Sequence, residues 1–175
     1  MRSIWIFILF FLGGCIAAAQ APEAERPGSA WERSDGDFRL KFGVTLKGNT
    51  VEAEWKETAG RAMPEFEEIT QVRRGQEFSL FLLFANCPSD ATKRCGALVD
   101  YTLLGPEGNF LEGSKGLRLW TKPLPKKDEV RLGAAVLQVY AEKTDPPGKL
   151  TLRAVVTDPV TRKTLTLERP LELLP

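Results

Sequence analysis

The sequence predicts an all-β sandwich of about eight or nine short strands. Apolar and polar residues alternate through segments such as 38–46 and 150–156, which is typical of strands with one buried face. Clusters of Gly, Pro, Asn and Asp interrupt the alternation about every ten residues, which indicates tight turns. No convincing helical period extends over about ten residues. These observations favour a layered β-structure over a helical or α/β fold.

The first 19 residues differ from the rest of the chain and predict export from the cytoplasm. Met1 and Arg2 precede an apolar run over residues 4–12, and small residues follow up to Ala19, the order typical of a secretory signal peptide. Residues 1–19 are therefore predicted to be a signal peptide that is removed. A retained N-terminal membrane anchor is the alternative, since the segment is close to the shortest length that spans a bilayer.

A second cleavage site is present in the same segment. The run Leu12-Gly13-Gly14-Cys15 resembles the lipidation site of bacterial lipoproteins, in which Cys15 would carry the lipid and become the N-terminus. Cleavage after Ala19 is favoured, because Gly13 is an uncommon residue at its position in that pattern. The mature protein is then expected to be periplasmic or secreted, and it is lipid-anchored only if Cys15 is lipidated.

Residues 20–36 are rich in Ala, Pro, Glu and Gly and predict a flexible leader, which leaves residues 37–175 for the sandwich. The first strand is predicted over residues 38–46. Residues 51–55 alternate Val, Glu, Ala, Glu and Trp and are predicted to pair with it as a hairpin. Residues 64–72 fit a short strand or a helical turn.

The middle of the chain predicts a buried strand followed by an edge. Residues 78–84 are apolar on both faces, as expected for a central strand that is covered on each side. Residues 97–104 alternate and predict the next strand. Residues 110–120 contain two glycines and predict a short hairpin at a sheet edge, and residues 130–141 predict a further strand.

The last third of the chain predicts a closing hairpin. The runs Pro147-Gly148-Lys149-Leu150-Thr151-Leu152 and Thr164-Leu165-Thr166-Leu167 resemble the last two strands of bacterial immunoglobulin-like domains. Arg74-Gly75-Gln76-Glu77-Phe78-Ser79-Leu80 resembles the opening of a strand in the same domains. The resemblance covers roughly residues 72–174 and implies an exported immunoglobulin-like antiparallel β-sandwich. It implies no activity, because this fold carries many functions.

Cys87 and Cys95 are predicted to form a disulfide. An oxidising compartment favours pairing, and the spacing of the two residues differs from that of a C-x-x-C redox motif. The bond would close a short loop and stabilise the fold by about 2.5 kcal/mol.

Charge and composition exclude several functions. Removal of residues 1–19 takes away Arg2 and no acid, so 23 of the 24 basic residues remain against 23 acidic ones. A neutral chain lacks the attraction that drives binding to nucleic acids or anionic lipids. The chain contains no histidine, which excludes histidine-dependent catalysis and the commonest transition-metal ligand. We expect no nucleic-acid partner, no metal or cofactor, and no enzymatic activity.

Two groups of residues are candidates for binding. Lys93 and Arg94 lie in the loop that the disulfide closes, where a rigid support lowers the entropy lost on binding. Phe110 and Trp120 belong to the predicted edge, and aromatic residues are typical of interface cores.

These residues lead to three hypotheses. The first is a non-enzymatic cell-envelope module, structural or binding, that engages a protein partner through a sheet edge or loops. The second is a carbohydrate-binding module or glycan-acting protein, with Trp55 or Trp120 as a platform for sugars. The third is a protease inhibitor that presents Lys93 and Arg94.

Overall fold

A computed structural model of the chain describes residues 32–46, 51–58 and 67–175. Ten strands and one helix follow one another in this part of the chain: β1 (Glu32–Asp35), β2 (Phe38–Thr45), α1 (Val51–Thr58), β3 (Gln71–Arg73), β4 (Glu77–Ala85), β5 (Leu98–Leu104), β6 (Phe110–Arg118), β7 (Arg131–Leu132), β8 (Leu137–Tyr140), β9 (Gly148–Thr157) and β10 (Thr164–Leu174). The predicted all-β class is therefore confirmed.

The strands form two sheets that face each other as a sandwich. The first sheet has the order β1-β2-β4-β7, and β8 also pairs with β4; the second has the order β3-β10-β9-β5-β6. Strand pairs are antiparallel except for β3, which runs parallel to β10. The arrangement agrees with the predicted immunoglobulin-like sandwich, with one parallel edge strand added to it.

The predicted central strand and closing hairpin are confirmed. β4 is buried over all residues after Glu77, as its two apolar faces indicated. One face, with Phe78, Leu80, Leu82 and Phe84, packs into the core between the sheets. β9 and β10 form the closing hairpin, whose inward residues alternate with outward ones.

The predicted strand over residues 51–55 is wrong, because these residues begin the helix α1. Val51 and Trp55 are four residues apart, so they share one helical face, and both pack against Phe81 on the outer face of the first sheet. Ala53, which the alternation placed with them, is exposed. Phe81 reaches this position across Gly43, where a Cβ would overlap its ring.

The predicted hairpin over residues 110–120 is also wrong. The segment is one continuous edge strand, β6, and two register shifts interrupt its pairing with β5. At one of them Gly116 adopts a φ of 67°, which a glycine accepts without steric conflict. The glycines therefore mark an irregular edge strand instead of a turn.

Three further segments differ from the predicted boundaries. β1 occupies the last residues of the predicted leader, so the first sheet extends to Glu32. Residues 130–141 hold two short strands instead of one. The uncertain segment 64–72 lies partly outside the described residues, and its end contributes to β3.

Arg169 of the second sheet contacts both Glu68, which precedes β3, and β2 of the first sheet. Arg169 on β10 is 4% exposed, and its Nη1 lies 2.7 Å from Glu68 Oε2 and donates to the Phe42 carbonyl oxygen at 3.1 Å. Lys41 Nζ lies 3.2 Å from the other oxygen of Glu68. Burial alone raises the pKa of Glu68, but the hydrogen bonds and charges of Arg169 and Lys41 together bring it below its ordinary value.

None of the helices in the described ranges is long and apolar enough to cross a membrane.

Candidate binding surface at the loop end

Four connections meet at one end of the sandwich, which we name the loop end. They are the β1–β2 turn at residues 36–37 and the loops 86–97, 119–130 and 158–163. The register of β2 with β4 places Arg39 opposite Ala85, and that of β9 with β10 places Thr157 opposite Thr164. All four connections therefore emerge on the same side.

The predicted disulfide between Cys87 and Cys95 is confirmed and lies at the base of the loop 86–97. Inside the loop, Asp90 Oδ1 accepts hydrogen bonds from Thr92 Oγ1 at 2.6 Å, Thr92 N at 2.7 Å and Arg94 N at 3.1 Å. The Thr92 hydroxyl, together with these backbone donors, lowers the pKa of the Asp90 carboxyl. The disulfide and these hydrogen bonds within the loop therefore fix its conformation.

Three hydrogen bonds of Asn86, which we name the Asn86 clasp, join this loop to the loop 119–130 and to the β1–β2 turn. Asn86 Nδ2 donates to the Asp37 carbonyl oxygen at 3.1 Å and to Asp128 Oδ1 at 3.0 Å, and Asn86 Oδ1 accepts from Asp128 N at 2.7 Å. The loop 119–130 and the β1–β2 turn are therefore held against the base of the disulfide loop.

The loop 158–163 is fixed in a similar way. Asp158 caps its own turn, since Oδ1 accepts from Val160 N at 2.9 Å and Oδ2 from Thr161 Oγ1 at 2.7 Å. Lys163 Nζ lies 3.0 Å from Asp35 Oδ2, which connects the loop to β1. On its other side the loop contacts the disulfide loop, where a Cβ on Gly96 would lie 3.8 Å from Pro159 Cγ.

Left-handed backbone conformations concentrate at this end. In the described ranges, the non-glycine residues with positive φ are Asn86 at 55°, Lys93 at 58°, Asp128 at 62° and Arg162 at 60°. All of them lie in the loops of this end. Asn and Asp tolerate this region, whereas Lys93 and Arg162 adopt it against their intrinsic preference. Such conformations persist where the surrounding structure enforces them, and they are common at functional sites.

At the loop end, the carboxylates and the cations have different roles. The carboxylates of Asp35, Asp90, Asp128 and Asp158 accept hydrogen bonds that hold the loops together. Six exposed cations make no ion pair with any described residue: Lys93, Arg94, Lys122, Lys126, Lys127 and Arg162. The loop end therefore presents positive charge to the outside on a rigid support.

The predicted binding residues do not form a single surface. Lys93 and Arg94 are exposed on the disulfide loop, as predicted. Phe110 begins β6, whereas Trp120 lies two residues beyond Arg118, the last residue of that strand, so roughly 30 Å of extended chain separates them. Cys15 lies outside the described residues.

Phe110 and Trp120 also differ in exposure. Phe110 is 65% exposed. Trp120 is partly buried, its ring packs edge-on against Phe84 with centroids 5.4 Å apart, and its Nε1 donates to the Pro123 carbonyl oxygen at 2.8 Å. Lys122 Nζ lies 5.6 Å from the indole ring. These contacts favour a role for Trp120 in closing the core.

Sequence reasoning missed three cations of the loop end: Arg162, Lys126 and Lys127. The segment Asp158-Pro159-Val160-Thr161-Arg162-Lys163 was identifiable as a turn between two strands, so its exposure was predictable. Its position beside the disulfide loop was not predictable, because that position depends on the order of the strands in the sheets.

Comparisons with known proteins do not assign a family. No protein-family description matches the chain, and no curated protein matches it in sequence. Among solved structures, the C-terminal domain of wzt is similar at 13% identity, with 86% of this chain and 80% of that chain covered and a TM-score of 0.42. A Niemann-Pick type C2 protein from the Japanese carpenter ant shares 16% identity over 62% of this chain and 82% of its own, with a TM-score of 0.41.

Sugar-cleaving enzymes also occur among the structural neighbours. A family 123 glycoside hydrolase from Clostridium perfringens is 10% identical with a TM-score of 0.35, and this chain covers 77% of its own length but only 27% of that enzyme. These neighbours are different kinds of protein, and with TM-scores below 0.5 they assign no function to this chain.

Proposed function

We propose that the chain is an exported, non-enzymatic binding module of the cell envelope, and that its loop end docks onto an acidic surface of a protein partner. One observation carries the proposal. The carboxylates named above hold the loops together, while the neighbouring cations Lys93, Arg94, Lys126, Lys127 and Arg162 face outwards without an ion pair among the described residues. Complementary charge steers encounter and selects the partner.

The rigidity of the loop end supports this role. A binding surface that is already ordered loses less conformational entropy on association than a flexible one. The disulfide, the Asp90 hydrogen bonds and the Asn86 clasp order the loops in advance. In the loop 158–163, Asp158 has the corresponding role, because its carbonyl oxygen accepts from Arg162 N at 2.8 Å and its carboxylate accepts from Val160 N.

The side chains of the disulfide loop are available to a partner, whereas its backbone groups form hydrogen bonds within the loop. Lys93 N donates to the Asp90 carbonyl oxygen at 3.0 Å, and the Arg94 carbonyl oxygen accepts from Asp90 N at 2.8 Å. Lys93 is also left-handed, so the loop does not present an extended strand to a protease cleft. These contacts favour docking through charge over inhibition of a protease.

The exposed edge strand is less suited to bind a partner strand. The two register shifts of β6 twist its edge, and Lys115 and two glycines lie along it. Bulges and lysines are the means by which natural edge strands avoid pairing with other chains. The loops are therefore the better candidate of the two surfaces that the sequence proposed.

The proposal also includes export from the cytoplasm. A disulfide is expected in an oxidising compartment, which supports removal of residues 1–19 and a periplasmic or secreted product. Lipidation of Cys15 would instead anchor the module to a membrane.

The test is affinity capture from envelope extract with the mature protein, residues 20–175. We expect the unmodified protein to enrich one protein reproducibly and to lose it as salt screens the charges. The double variant K93E/R94E should lose that protein. The control K115E/K149E makes the same charge change on the exposed surface away from the loop end and should retain it. Retention by K93E/R94E together with loss by the control would contradict the proposal.

A further inference from the structure

We propose that a cavity between the two sheets, at the end opposite the loop end, binds a small amphiphilic cation: a protonated amine attached to an apolar body. The cavity has a volume of about 240 Å³. It lies where the β5–β6 and β8–β9 connections leave the sheets, and we name this the cavity end. The inference does not rest on the function proposed for the loop end.

The floor of the cavity is apolar and comes from both sheets. Phe78 and Val139 belong to the first sheet, and Leu103, Leu150 and Leu173 belong to the second. Each of these side chains is at most 8% exposed, so the packing of the core fixes the shape of the floor. This volume is far larger than the roughly 10–15 Å³ that one water molecule requires, so the space admits the apolar body of a small organic molecule.

A β-bulge brings a carboxylate to this apolar space. In a regular strand the side chains of Leu111 and Glu112 would point to opposite faces. In the pairing of β6 with β5, Phe110 lies opposite Leu104 and Glu112 lies opposite Leu103, so that Leu111 is an extra residue. Both Leu111 and Glu112 consequently line the cavity. Bulges re-aim side chains in this way and are common beside binding sites.

Two more carboxylates share the mouth of the cavity with Glu112. Glu142 and Asp145 lie on the β8–β9 connection and line the same space. Asp145 Oδ2 accepts from Glu142 N at 2.8 Å, and Glu142 Oε2 accepts from Thr144 Oγ1 at 3.4 Å. None of the three carboxylates forms an ion pair with a residue of the described ranges. The mouth therefore offers uncompensated negative charge.

Two cations at this end, Arg74 and Lys143, are directed elsewhere. Lys143 Cε lies 4.0 Å from where a Cβ on Gly75 would be, so its stem runs along the neighbouring turn. Arg74 Nη1 donates to the Lys143 carbonyl oxygen at 2.9 Å. Neither side chain lines the cavity. Half-exposed Tyr140 contributes to the lining, and its hydroxyl oxygen lies 3.8 Å from the same Cβ position on Gly75.

These features define the occupant. An apolar floor selects an apolar body, and carboxylates at the mouth select a positive head over a neutral or negative one. A polypeptide backbone would leave amide groups without partners in the apolar interior, which is unfavourable. A small amphiphilic amine meets both requirements.

Calorimetric titration of the mature protein tests the proposal with three ligands that share one chain: n-hexylammonium, n-hexanol and n-hexanoate. Hexylammonium should bind in a saturable manner, hexanol more weakly, and hexanoate most weakly. E112Q should weaken hexylammonium about tenfold, as expected for the loss of one charge-assisted contact, and leave hexanol unchanged. The control E107Q makes the same charge change in the exposed β5–β6 turn and should have no effect.

The variant L111W should fill the cavity and weaken all three ligands. Equal binding of hexylammonium and hexanoate, or no saturable binding of either, would overturn the proposal, as would equal effects of E112Q and E107Q. The ligand comparison uses the unmodified protein, so it decides the question even where a variant fails to fold.

Discussion

The two ends of the sandwich are stabilised in different ways. The loop end is held by a disulfide and by side-chain hydrogen bonds between connections that are far apart in sequence, such as those of Asn86 and Asp128. At the cavity end, apolar packing between the sheets leaves a space of about 240 Å³, and the hydrogen bond from Arg74 to the Lys143 carbonyl oxygen joins two connections beside it. The loop end is therefore closed by a disulfide and polar contacts, whereas the core is not fully packed at the cavity end.

This difference suggests a division of binding roles. A rigid surface with exposed cations such as Lys93 and Arg162 suits an acidic protein partner, because contact needs no rearrangement. A concave apolar space with carboxylates at its mouth suits a small molecule. The ion pair of Arg169 and Glu68 lies between the ends and serves the fold as a whole.

The largest effect is expected at this ion pair, which belongs to neither end. R169A should lower the free energy of unfolding by about 3 kcal/mol, because it removes a buried side chain, its hydrogen bond to the Phe42 carbonyl oxygen and one of the two cations that contact Glu68. The control R153A removes a more exposed ion pair, that of Arg153 with Glu168. It should lower the free energy of unfolding by about 0–1 kcal/mol. Urea denaturation measures both. Equal losses would mean that Arg169 does not hold the sheets together.

A smaller effect, limited to the loop end, is expected from removal of the disulfide. C87S/C95S should lower the free energy of unfolding by about 2.5 kcal/mol, since the short loop gains freedom in the unfolded chain. Hydrogen exchange should increase in the loop 86–97, while hexylammonium binding at the cavity end stays unchanged. A matching change at the cavity end would show that the two ends are coupled.

The clasp of Asn86 should contribute less than the disulfide. N86A removes three hydrogen bonds and places Ala at a φ of 55°, so we expect a loss of about 1–2 kcal/mol. Asn109 in the β5–β6 turn is the control at the cavity end, and N109A should change stability by less than about 0.5 kcal/mol. Thermal denaturation compares the two, and a larger loss from N109A would contradict the contrast between the ends.

The smallest effect is expected in the pH dependence of stability. The pKa of Glu68 is lower in the folded protein than its ordinary value of 4.5. Its contribution is therefore complete above that value and is lost as the pH falls through the folded pKa. E68Q should flatten the loss of stability below about pH 4.5 relative to the unmodified protein. An identical acid profile for both proteins would contradict the assigned direction.

Local sequence patterns predicted the parts of the fold in which each residue's neighbours are close in the chain. The apolar run of β4, the alternation of β9 and β10, and the short spacing of Cys87 and Cys95 each have a local cause. Residues 51–55 were misassigned because so short a segment fits two periods. Its apolar ends, Val51 and Trp55, fit a helical face as well as a strand face.

Both candidate sites depend on contacts that no local pattern contains. Lys93 was identifiable from the disulfide loop, but its association with Arg162 requires the sheet order that brings the two loops together. The direction of Glu112 depends on the extra residue Leu111, and a bulge is defined by the pairing of two strands. Sequence reasoning therefore found one element of the loop end and nothing of the cavity.

Site-specific photo-crosslinking in intact cells tests most directly whether the loop end is the docking surface. A photoreactive residue at Val160, which is 62% exposed beside Arg162, leaves every proposed cation in place. The same residue at Glu107 probes the cavity end. We expect a single crosslinked protein from position 160, lost in K93E/R94E, and none from position 107. A partner that crosslinks from position 107 and not from position 160 would contradict the account.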